Sequence, residues 1–203
     1  MGSEQKFWNG IAAKYVAQPV ADEAAYQHKL NATQALLSPD MDLLEFGSGS
    51  GTTALIHAPF VRSIRGIDFS EEMVRIARGK AELAEVGNVQ FEVSSIDEFD
   101  AEGKSFDAIL GMSILHLLPN RAEVIKKVHR LLKPGGLFFS STSCITSPLH
   151  RAAIPVMQFF GKAPYVGMFD AETLTAEMKA AGFTIEESWR PSKGAALFVV
   201  ARK

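Results

Sequence analysis

Residues 43–51 read LLEFGSGSG, an apolar run that ends in three glycines, and this stretch decides the fold. A short apolar run is typical of a buried β-strand, and a helical pattern begins directly after it at Thr52. Glycines let the backbone turn tightly and approach a ligand without interference from a Cβ atom. In open α/β sheets, ligands bind at the carboxyl ends of the strands, where this loop lies. The stretch therefore predicts a strand–loop–helix unit with a ligand site at Gly47, Gly49 and Gly51.

Outward from this unit, strand-like and helix-like segments alternate. The predicted strands are Leu43–Phe46, Val61–Ile67, Val89–Val93, Ala108–Met112 and Leu137–Ser141. The predicted helices between them are Thr52–Ala58, Glu71–Glu85 and Ala122–Leu132, the last one closed by Gly135-Gly136. Because parallel strands need crossover connections of this length, the pattern predicts an α/β fold with a doubly wound, mostly parallel sheet.

Both ends of the chain add further elements to one domain over residues 1–203. Residues 1–38 are predicted to form a helical cap of two helices, Gln5–Ala17 and Asp22–Leu37, in front of a ligand-binding core at 40–143. Residues 145–169 are apolar but aperiodic, so we expect no regular element there. Residues 170–203 are predicted to hold a helix, Ala171–Ala181, capped by Asp170, and an antiparallel strand pair, Phe183–Trp189 and Ala195–Ala201.

Composition excludes several classes of protein. The 203 residues are 47% hydrophobic and 22% charged, which is typical of a globular domain and excludes disordered and fibrous proteins. A net charge of −2 supplies no basic field for a nucleic acid. The single cysteine, Cys144, cannot form an internal disulfide. With no signal-peptide pattern and no apolar window of the ~18 residues that a membrane span needs, we expect a cytoplasmic protein without a membrane span.

The residues around the glycine loop narrow the ligand. A dinucleotide site would carry a third glycine where this chain has Thr52, and a triphosphate loop would need a Lys-Ser/Thr pair that is missing. Glu45 would repel phosphate but attract an ammonium group. Asp68 ends the second strand 17 positions after Gly51, where a carboxylate can accept both hydroxyls of a ribose. Ser70 is the better cap for the next helix, which leaves Asp68 free. A nucleoside that carries an amino acid suits these residues.

At this point the chain resembles the class I S-adenosylmethionine-dependent methyltransferases. The matching blocks are EFGSGSG at 45–51, GIDFS at 66–70 with Met73, SFDAIL at 105–110 and LKPGG at 132–136, and they cover roughly residues 40 to 143. The ending FVVARK at 198–203 is similar to the ubiquinone/menaquinone-biosynthesis-like branch. The four blocks together, in this order and spacing, are highly specific, although each alone is not.

The resemblance implies that the cofactor is S-adenosylmethionine and that S-adenosylhomocysteine is its product. It implies a seven-stranded sheet whose last strand is antiparallel and inserted between its neighbours. The implied cofactor residues are Glu45 for the ammonium group, Gly47, Ser48, Gly49 and Gly51 under the methionine and ribose, Asp68 for the ribose, Phe69 and Met73 beside the adenine, and the carbonyls of Gly111 and Met112 near the ammonium group. For the adenine amino group, two alternatives stay open: Ser95 with the Ile96 backbone, or Asp97 through a shifted loop.

The resemblance also implies two candidate catalytic residues. Methyl transfer from a sulfonium is an in-line displacement, so a general base is needed only if the acceptor must lose a proton. His116 falls where relatives often carry a histidine, and it is equally readable as a core or cap histidine. Tyr15 matches a tyrosine that closes over the methyl group in relatives, and it could instead simply pack, as Phe7 and Trp8 could. No metal is expected.

The acceptor is expected to be a small molecule. The segment Gly111-Met112-Ser113-Ile114 lacks the Asn/Asp-Pro-Pro-Tyr/Phe tetrapeptide of enzymes that methylate amino groups of nucleic acids, and the paired-glutamate loop of arginine methyltransferases is also missing. In relatives, the region at 147–169 builds part of the acceptor pocket. Here it would supply an apolar wall for an apolar or aromatic acceptor, or pack on the sheet edge, or pair an acidic substrate with Lys162, His150 and Arg151. The wall residues would be Ile154, Val156, Met157, Phe159, Phe160, Tyr165, Val166, Met168 and Phe169.

Two other functions remain open. The first is a protein that binds S-adenosylmethionine or S-adenosylhomocysteine without transferase activity of its own, as a regulator or partner subunit. The second is a nucleotide-dependent oxidoreductase on the same sheet topology, against which Thr52 argues.

Overall fold

A seven-stranded sheet forms the centre of the computed structural model, which describes residues 2–101, 103, 105–159, 161, 163–192 and 194–203 and, for 148–152, the backbone alone. The strands are β1 (Asp42–Phe46), β2 (Ser63–Asp68), β3 (Val89–Val93), β4 (Phe106–Met112), β5 (Leu132–Thr142), β6 (Thr184–Trp189) and β7 (Leu197–Arg202). Their order across the sheet is β3-β2-β1-β4-β5-β7-β6. The first five strands are parallel, and β7 runs antiparallel between β5 and β6. The predicted fold class is confirmed.

Seven α-helices flank or cap this sheet within the described residues. They are α1 (Ser3–Val16), α2 (Glu23–Gln34), α3 (Thr52–His57), α4 (Glu71–Leu83), α5 (Arg121–Leu131), α6 (Pro148–Phe159) and α7 (Ala171–Ala180). Short 3₁₀ turns follow α3 at Ala58–Phe60 and β4 at Leu115–Leu117. Asp22, Ser70 and Asp170 cap α2, α4 and α7 through their side chains, as the sequence predicts for Ser70 and Asp170.

Alternate residues of the strands build two separate core layers. On one face, Leu44 and Phe46 of β1 pack with Val128 of α5 and Met178 of α7. On the other face, Leu43 of β1 packs with the layer that holds α3 and α4. Successive side chains of a strand point to opposite faces, so strands covered on both sides are apolar throughout. This is why the run before the glycine loop is continuous rather than alternating.

Two predictions about local structure are wrong. Gly135 and Gly136 do not close α5, because α5 ends at Leu131 and both glycines lie inside β5. Gly136 is needed there since a Cβ atom would come within 2.9 Å of the Lys133 carbonyl. Residues 145–169 are not irregular throughout, because they contain α6. Pro148 starts this helix, where its missing N–H costs nothing, and Pro155 lies inside it, which hid the helical pattern.

None of the helices among the described residues has the length and apolarity that crossing a membrane requires.

Candidate functional site

The glycine loop adopts a backbone that other residues rarely adopt. Gly47, Gly49 and Gly51 have φ values of +63°, +52° and +73°. A Cβ atom at Gly47 would lie 2.6 Å from Ile114, and one at Gly51 would lie 2.5 Å from Phe91. Gly49 has open space around it, so its backbone angle alone favours glycine there. The loop is therefore shaped both by its turns and by close packing.

Asp68 lies at the carboxyl end of β2, next to this loop, and only 7% of it is exposed. The Gly49 N–H donates to Oδ2 at 2.9 Å, and the Ser70 N–H donates to Oδ1 at 2.8 Å. Ser70 caps α4, so Asp68 is free of the capping role as predicted, but both of its oxygens accept hydrogen bonds from backbone groups. Burial raises the pKa of this carboxyl, and the two amide bonds oppose that rise. Each oxygen keeps a second lone pair, so the carboxylate can still accept hydroxyl groups.

Glu45 is a buried acid whose carboxyl group is only partly hydrogen-bonded. It is 2% exposed, and its Oε2 atom has no hydrogen-bond partner among the described residues, while the Ala54 N–H donates to the carboxyl group. Burial, with a smaller contribution from the charge of Asp68, raises its pKa to about 8. A buried polar atom is normally paired, and a missing partner calls for a specific explanation. An ammonium group of a ligand would supply both a donor and an opposite charge.

Two adjoining cavities connect these acids. The Asp68 cavity, about 220 Å³, is lined by residues that include Glu4, Trp8, Asp68, Phe69, Met73, Ser95, Leu117 and Leu118. The Glu45 cavity, about 480 Å³, is lined by residues that include Val20, Tyr26, Lys29, Glu45, Ser48, Thr53 and Ser141. Their walls share Tyr15, Gly47, Gly49, Met112 and Ser113. The site is thus one elongated cleft with an acid in each half, which matches a nucleoside joined to an amino acid.

The predicted cofactor residues gather around this cleft with three exceptions. Gly51 and Gly111 line neither cavity, and a Cβ atom at Gly111 would lie 2.6 Å from the Phe46 ring, so both glycines act in packing. Ile96 packs its side chain into the core at 5% exposure. Ile96 therefore lines neither cavity, although its backbone is expected to contact the adenine.

The two alternatives for the third strand differ in position. Ser95 lines the Asp68 cavity, while its Oγ donates to Glu98 Oε2 at 2.9 Å and accepts the Glu98 N–H at 3.2 Å. Asp97 lines neither cavity and accepts a hydrogen bond from Asn120 Nδ2 at 2.8 Å. The geometry therefore favours Ser95 as the polar group of the cavity wall.

Helix α1 covers the cleft along its length. Gln5 Nε2 donates to the Phe69 carbonyl at 2.8 Å, and Ser70 Oγ donates to Asn9 Oδ1 at 2.7 Å. Trp8 lines the Asp68 cavity and meets Tyr15 edge-on, with ring centroids 5.6 Å apart. Tyr15, which is 46% exposed, lies where the two cavities join. From sequence, helix packing and a place in the cleft were alternatives for Trp8 and Tyr15. In the structure, the two rings pack against each other and also line the cleft.

His116 lies outside both cavities. It belongs to the 3₁₀ turn after β4, its carbonyl accepts the Gly167 N–H at 2.7 Å, and its Nδ1 is buried without a partner among the described residues. Burial lowers its pKa to about 4, so the ring is neutral at pH 7. The prediction of a catalytic role for His116 is not tested by these contacts.

The segment predicted to form an acceptor wall touches the cleft only from outside, where the Tyr165 N–H donates to the carboxylate of Glu4, a residue of the Asp68 cavity wall. Among its described residues, none lines either cavity. Val156, Met157 and Phe159 on α6 are exposed, and Phe169 is buried with the Arg121 guanidinium 3.6 Å from its ring centroid. Phe160 and Lys162 lie outside the described residues, as do the side chains of His150 and Arg151.

Helix α2 supplies functional residues that the sequence reasoning missed. Tyr26 and Lys29 line the Glu45 cavity, and Lys29 Nζ donates to Ser141 Oγ at 3.0 Å. Lys29 is four residues after Ala25, but the burial of Ala25 is seen only in the structure, so no sequence signal pointed to this lysine. A lysine on the buried side of an amphipathic helix is unusual, since lysines are almost never fully buried without a partner.

Comparison with known proteins gives consistent matches. A family model described as a methyltransferase domain matches residues 37–182. An uncharacterized methyltransferase of Bacillus subtilis (strain 168), YcgJ, is 32% identical over 96 residues, which are 47% of this chain and 38% of that protein. A ubiquinone biosynthesis O-methyltransferase of Coxiella burnetii is 30% identical over 100 residues, 49% of this chain and 42% of that protein. Superposition on the solved structure of the DhpI–SAH complex covers 98% of this chain and 95% of the DhpI chain, with a TM-score of 0.77 at 18% sequence identity.

These matches define the family rather than the whole protein's activity. The aligned regions span less than half the length of the two curated relatives. The likeness to the solved structure, at its low identity, shows the fold. The family model covers most of the chain, including the glycine loop, Asp68 and the LKPGG block. The chain therefore belongs to the methyltransferase-domain family, whose class I members use S-adenosylmethionine as their cofactor, as the sequence predicted.

Proposed function

We propose that the protein transfers the methyl group of S-adenosylmethionine to a small molecule. The observation that carries this proposal is the pair of joined cavities with a buried acid in each, Asp68 and the incompletely paired Glu45. A phosphate ligand would offer neither acid a donor group and would bring negative charge into a cleft that already holds two buried carboxyl groups. A sulfonium nucleoside with an amino-acid tail offers two ribose hydroxyls to one acid and an ammonium group to the other.

Each part of the cofactor then has its own residues. Asp68 would accept the ribose hydroxyls, and Glu45 with the carbonyl of Met112 would receive the ammonium group, whereas Gly111 lies behind the cavity wall and packs against Phe46. Phe69 and Met73 would flank the adenine, and Ser95 with the Ile96 backbone would face its polar edge. Gly47, Ser48 and Gly49 would lie beneath the cofactor, and Gly51, packed against Phe91, keeps the loop in its shape.

The reaction needs alignment more than chemical assistance from the protein. When S-adenosylmethionine is bound, its sulfonium supplies an activated methyl group. The chain's residues hold acceptor and cofactor in line and exclude water, for which the α1 cover is suited. Tyr15 lies where the cavities join, and its hydroxyl would contact the methyl group of bound S-adenosylmethionine through weak C–H···O contacts.

His116 remains a candidate general base for an acceptor that must lose a proton. Its low pKa keeps it neutral and able to accept a proton at pH 7, but makes it a weak base. We expect H116A to lower turnover at saturating acceptor and to leave cofactor affinity unchanged. Unchanged turnover would remove this role.

The acceptor is proposed to be a small apolar or aromatic molecule rather than a nucleic acid. Supporting this, the wall of the Glu45 cavity includes the apolar residues Val16, Pro19, Val20 and Leu30. The net charge of −2 offers no field for a polyanion. A cytoplasmic location is proposed because a single cysteine fits a reducing compartment.

Calorimetric titration with S-adenosylmethionine and S-adenosylhomocysteine tests the proposal. We expect micromolar binding of both ligands, a loss of at least about 100-fold in Asp68→Ala, and no loss in Asp97→Ala, which removes an acid outside the cleft. No binding by the unmodified protein would overturn the cofactor assignment. Binding with no release of S-adenosylhomocysteine across a broad acceptor panel would instead favour a binding protein without transferase activity.

A further inference from the structure

Lys29 is a cation without an acidic partner in the wall of the cleft. Its side chain reaches from α2 to β5, where Nζ donates to Ser141 Oγ at 3.0 Å. Within the described part of the chain, no carboxylate lies within ion-pair distance of it. Partial burial lowers the pKa of this lysine, and the more distant charge of Asp22 opposes the shift only in part. Burial deprives the ammonium group of Lys29 of hydration, and an anionic ligand would replace that lost hydration with an opposite charge and hydrogen-bond acceptors.

Lys29 lines the Glu45 cavity together with residues assigned to the amino-acid part of the cofactor, and the strand order places it far from the adenine and ribose. Along the sheet, the groups assigned to adenine, ribose and ammonium follow β3, β2 and β1 in turn. Ser141 lies on β5, two strands beyond β1, and pairs in register with Met112 of β4. Met112 belongs to the wall shared by the two cavities. Lys29 and Ser141 therefore lie one strand past the place where the cavities join, on the side away from the nucleoside.

A strained residue adjoins the same place. Ser113 has a φ of +57°, which is uncommon for a residue with a side chain, and its N–H donates to the Ser141 carbonyl at 2.7 Å. It is exposed and lines both cavities. Backbone strain of this kind persists where the surroundings hold it and often occurs at ligand sites. The backbone bond to Ser141 holds Ser113 beside the Lys29–Ser141 pair in the wall of the Glu45 cavity.

We propose that Lys29, with Ser141 and Ser113, binds an anionic oxygen of the methyl acceptor. This rests on the proposed function and narrows the acceptor to a small organic anion. Its apolar or aromatic body would lie against Val20 and Leu30, and a carboxylate or ionised hydroxyl would lie against Lys29. The acceptor is then held at one charged point beside the transferred methyl group, which orients its nucleophilic atom.

Benzoate and benzamide are a matched pair of probes, since they share size and shape and differ in charge. We expect the protein saturated with S-adenosylhomocysteine to bind benzoate at least tenfold more tightly than benzamide by calorimetry. Lys29→Met should abolish that preference while leaving S-adenosylhomocysteine affinity within twofold. Ser141→Ala should reduce the preference by a few fold, and Lys14→Met, a change of an exposed lysine on α1, should leave it intact.

Three outcomes would overturn the assignment. The first is equal or undetectable binding of the two probes by the unmodified complex. The second is a benzoate preference that survives in Lys29→Met. The third is a tenfold loss of S-adenosylhomocysteine affinity in Lys29→Met, which would assign the lysine to the carboxylate of the cofactor. Failure of the unmodified protein to bind S-adenosylhomocysteine appears before any probe is added and would contradict the proposed function itself.

Discussion

Ionised Glu45 destabilises the free protein, because the carboxylate is buried, and stabilises the proposed complex, because it pairs with an ammonium group. Its pKa of about 8 lies above the unfolded value of 4.5, so the folded state binds this proton more tightly. The resulting stabilisation is fully present below pH 4.5 and is lost as pH rises through about 8. Glu45→Gln should therefore raise the thermal midpoint of the free protein at pH 8, with a smaller effect at pH 5. Thermal melts at the two pH values check this, and a midpoint lowered at pH 8 would contradict it.

The same substitution tests the ammonium assignment. Hydrogen bonds to charged groups contribute about 1.5–3 kcal/mol, so Glu45→Gln should weaken S-adenosylmethionine binding by roughly 10- to 100-fold. Glu82→Gln, which changes an exposed acid on α4, is the matched control and should bind as the unmodified protein does. Calorimetry of both variants at pH 8 measures the difference. An unchanged affinity in Glu45→Gln would place the ammonium group elsewhere.

At the scale of elements, α1 is attached to the rest of the site by few contacts. Asn9 accepts hydrogen bonds from Ser70 Oγ at 2.7 Å and from the Glu72 N–H at 3.4 Å. Asn9→Ala removes both, so we expect faster dissociation of S-adenosylhomocysteine by several fold with little change in association, because a looser cover opens more often. Trp8 in the Asp68 cavity reports this by stopped-flow fluorescence once Trp189, the other tryptophan, is replaced by Phe. Asn31→Ala, on an exposed position of α2, serves as control, and equal rates in the two variants would exclude a cover role for Asn9.

At the scale of the whole molecule, the buried His57 makes the free energy of unfolding decrease as the pH is lowered. It is fully buried, both ring nitrogens lack a partner among the described residues, and burial lowers its pKa to about 4. Because this folded value lies below the unfolded 6.5, its contribution is present above pH 6.5 and is lost as pH falls through about 4, which amounts to about 3 kcal/mol. Denaturant unfolding at pH 7 and pH 4.5 should show a smaller acid loss for His57→Leu than for the unmodified protein. Exposed His28→Gln should not reduce the loss, and equal losses in all three proteins would contradict the prediction.

Much of the fold and part of the site followed from local sequence. The apolar strands, the loop Gly47–Gly51 and the cap Ser70 depend on periodicity, backbone angles and neighbouring hydrogen bonds, which a short window of sequence determines. Asp68 was found in the same way, since strand and loop lengths place it beside the glycines. The antiparallel pairing of the last two strands came from their short connection, whereas the insertion of the last strand between its neighbours and the identity of the cofactor came from the family resemblance.

Tertiary structure alone decided the rest. Lys29 meets Ser141 across 112 positions of sequence, and the missing partner of Glu45 depends on everything packed around it. Neither is visible in a window, because burial and long-range contacts are set by how distant elements pack. The same holds for α6, whose exposed apolar residues and internal Pro155 obscure helical periodicity. The sequence by itself determined the sheet, the loop and the family, whereas the packing of α1 and α2 over the strand ends decided the shape and the charges of the cleft.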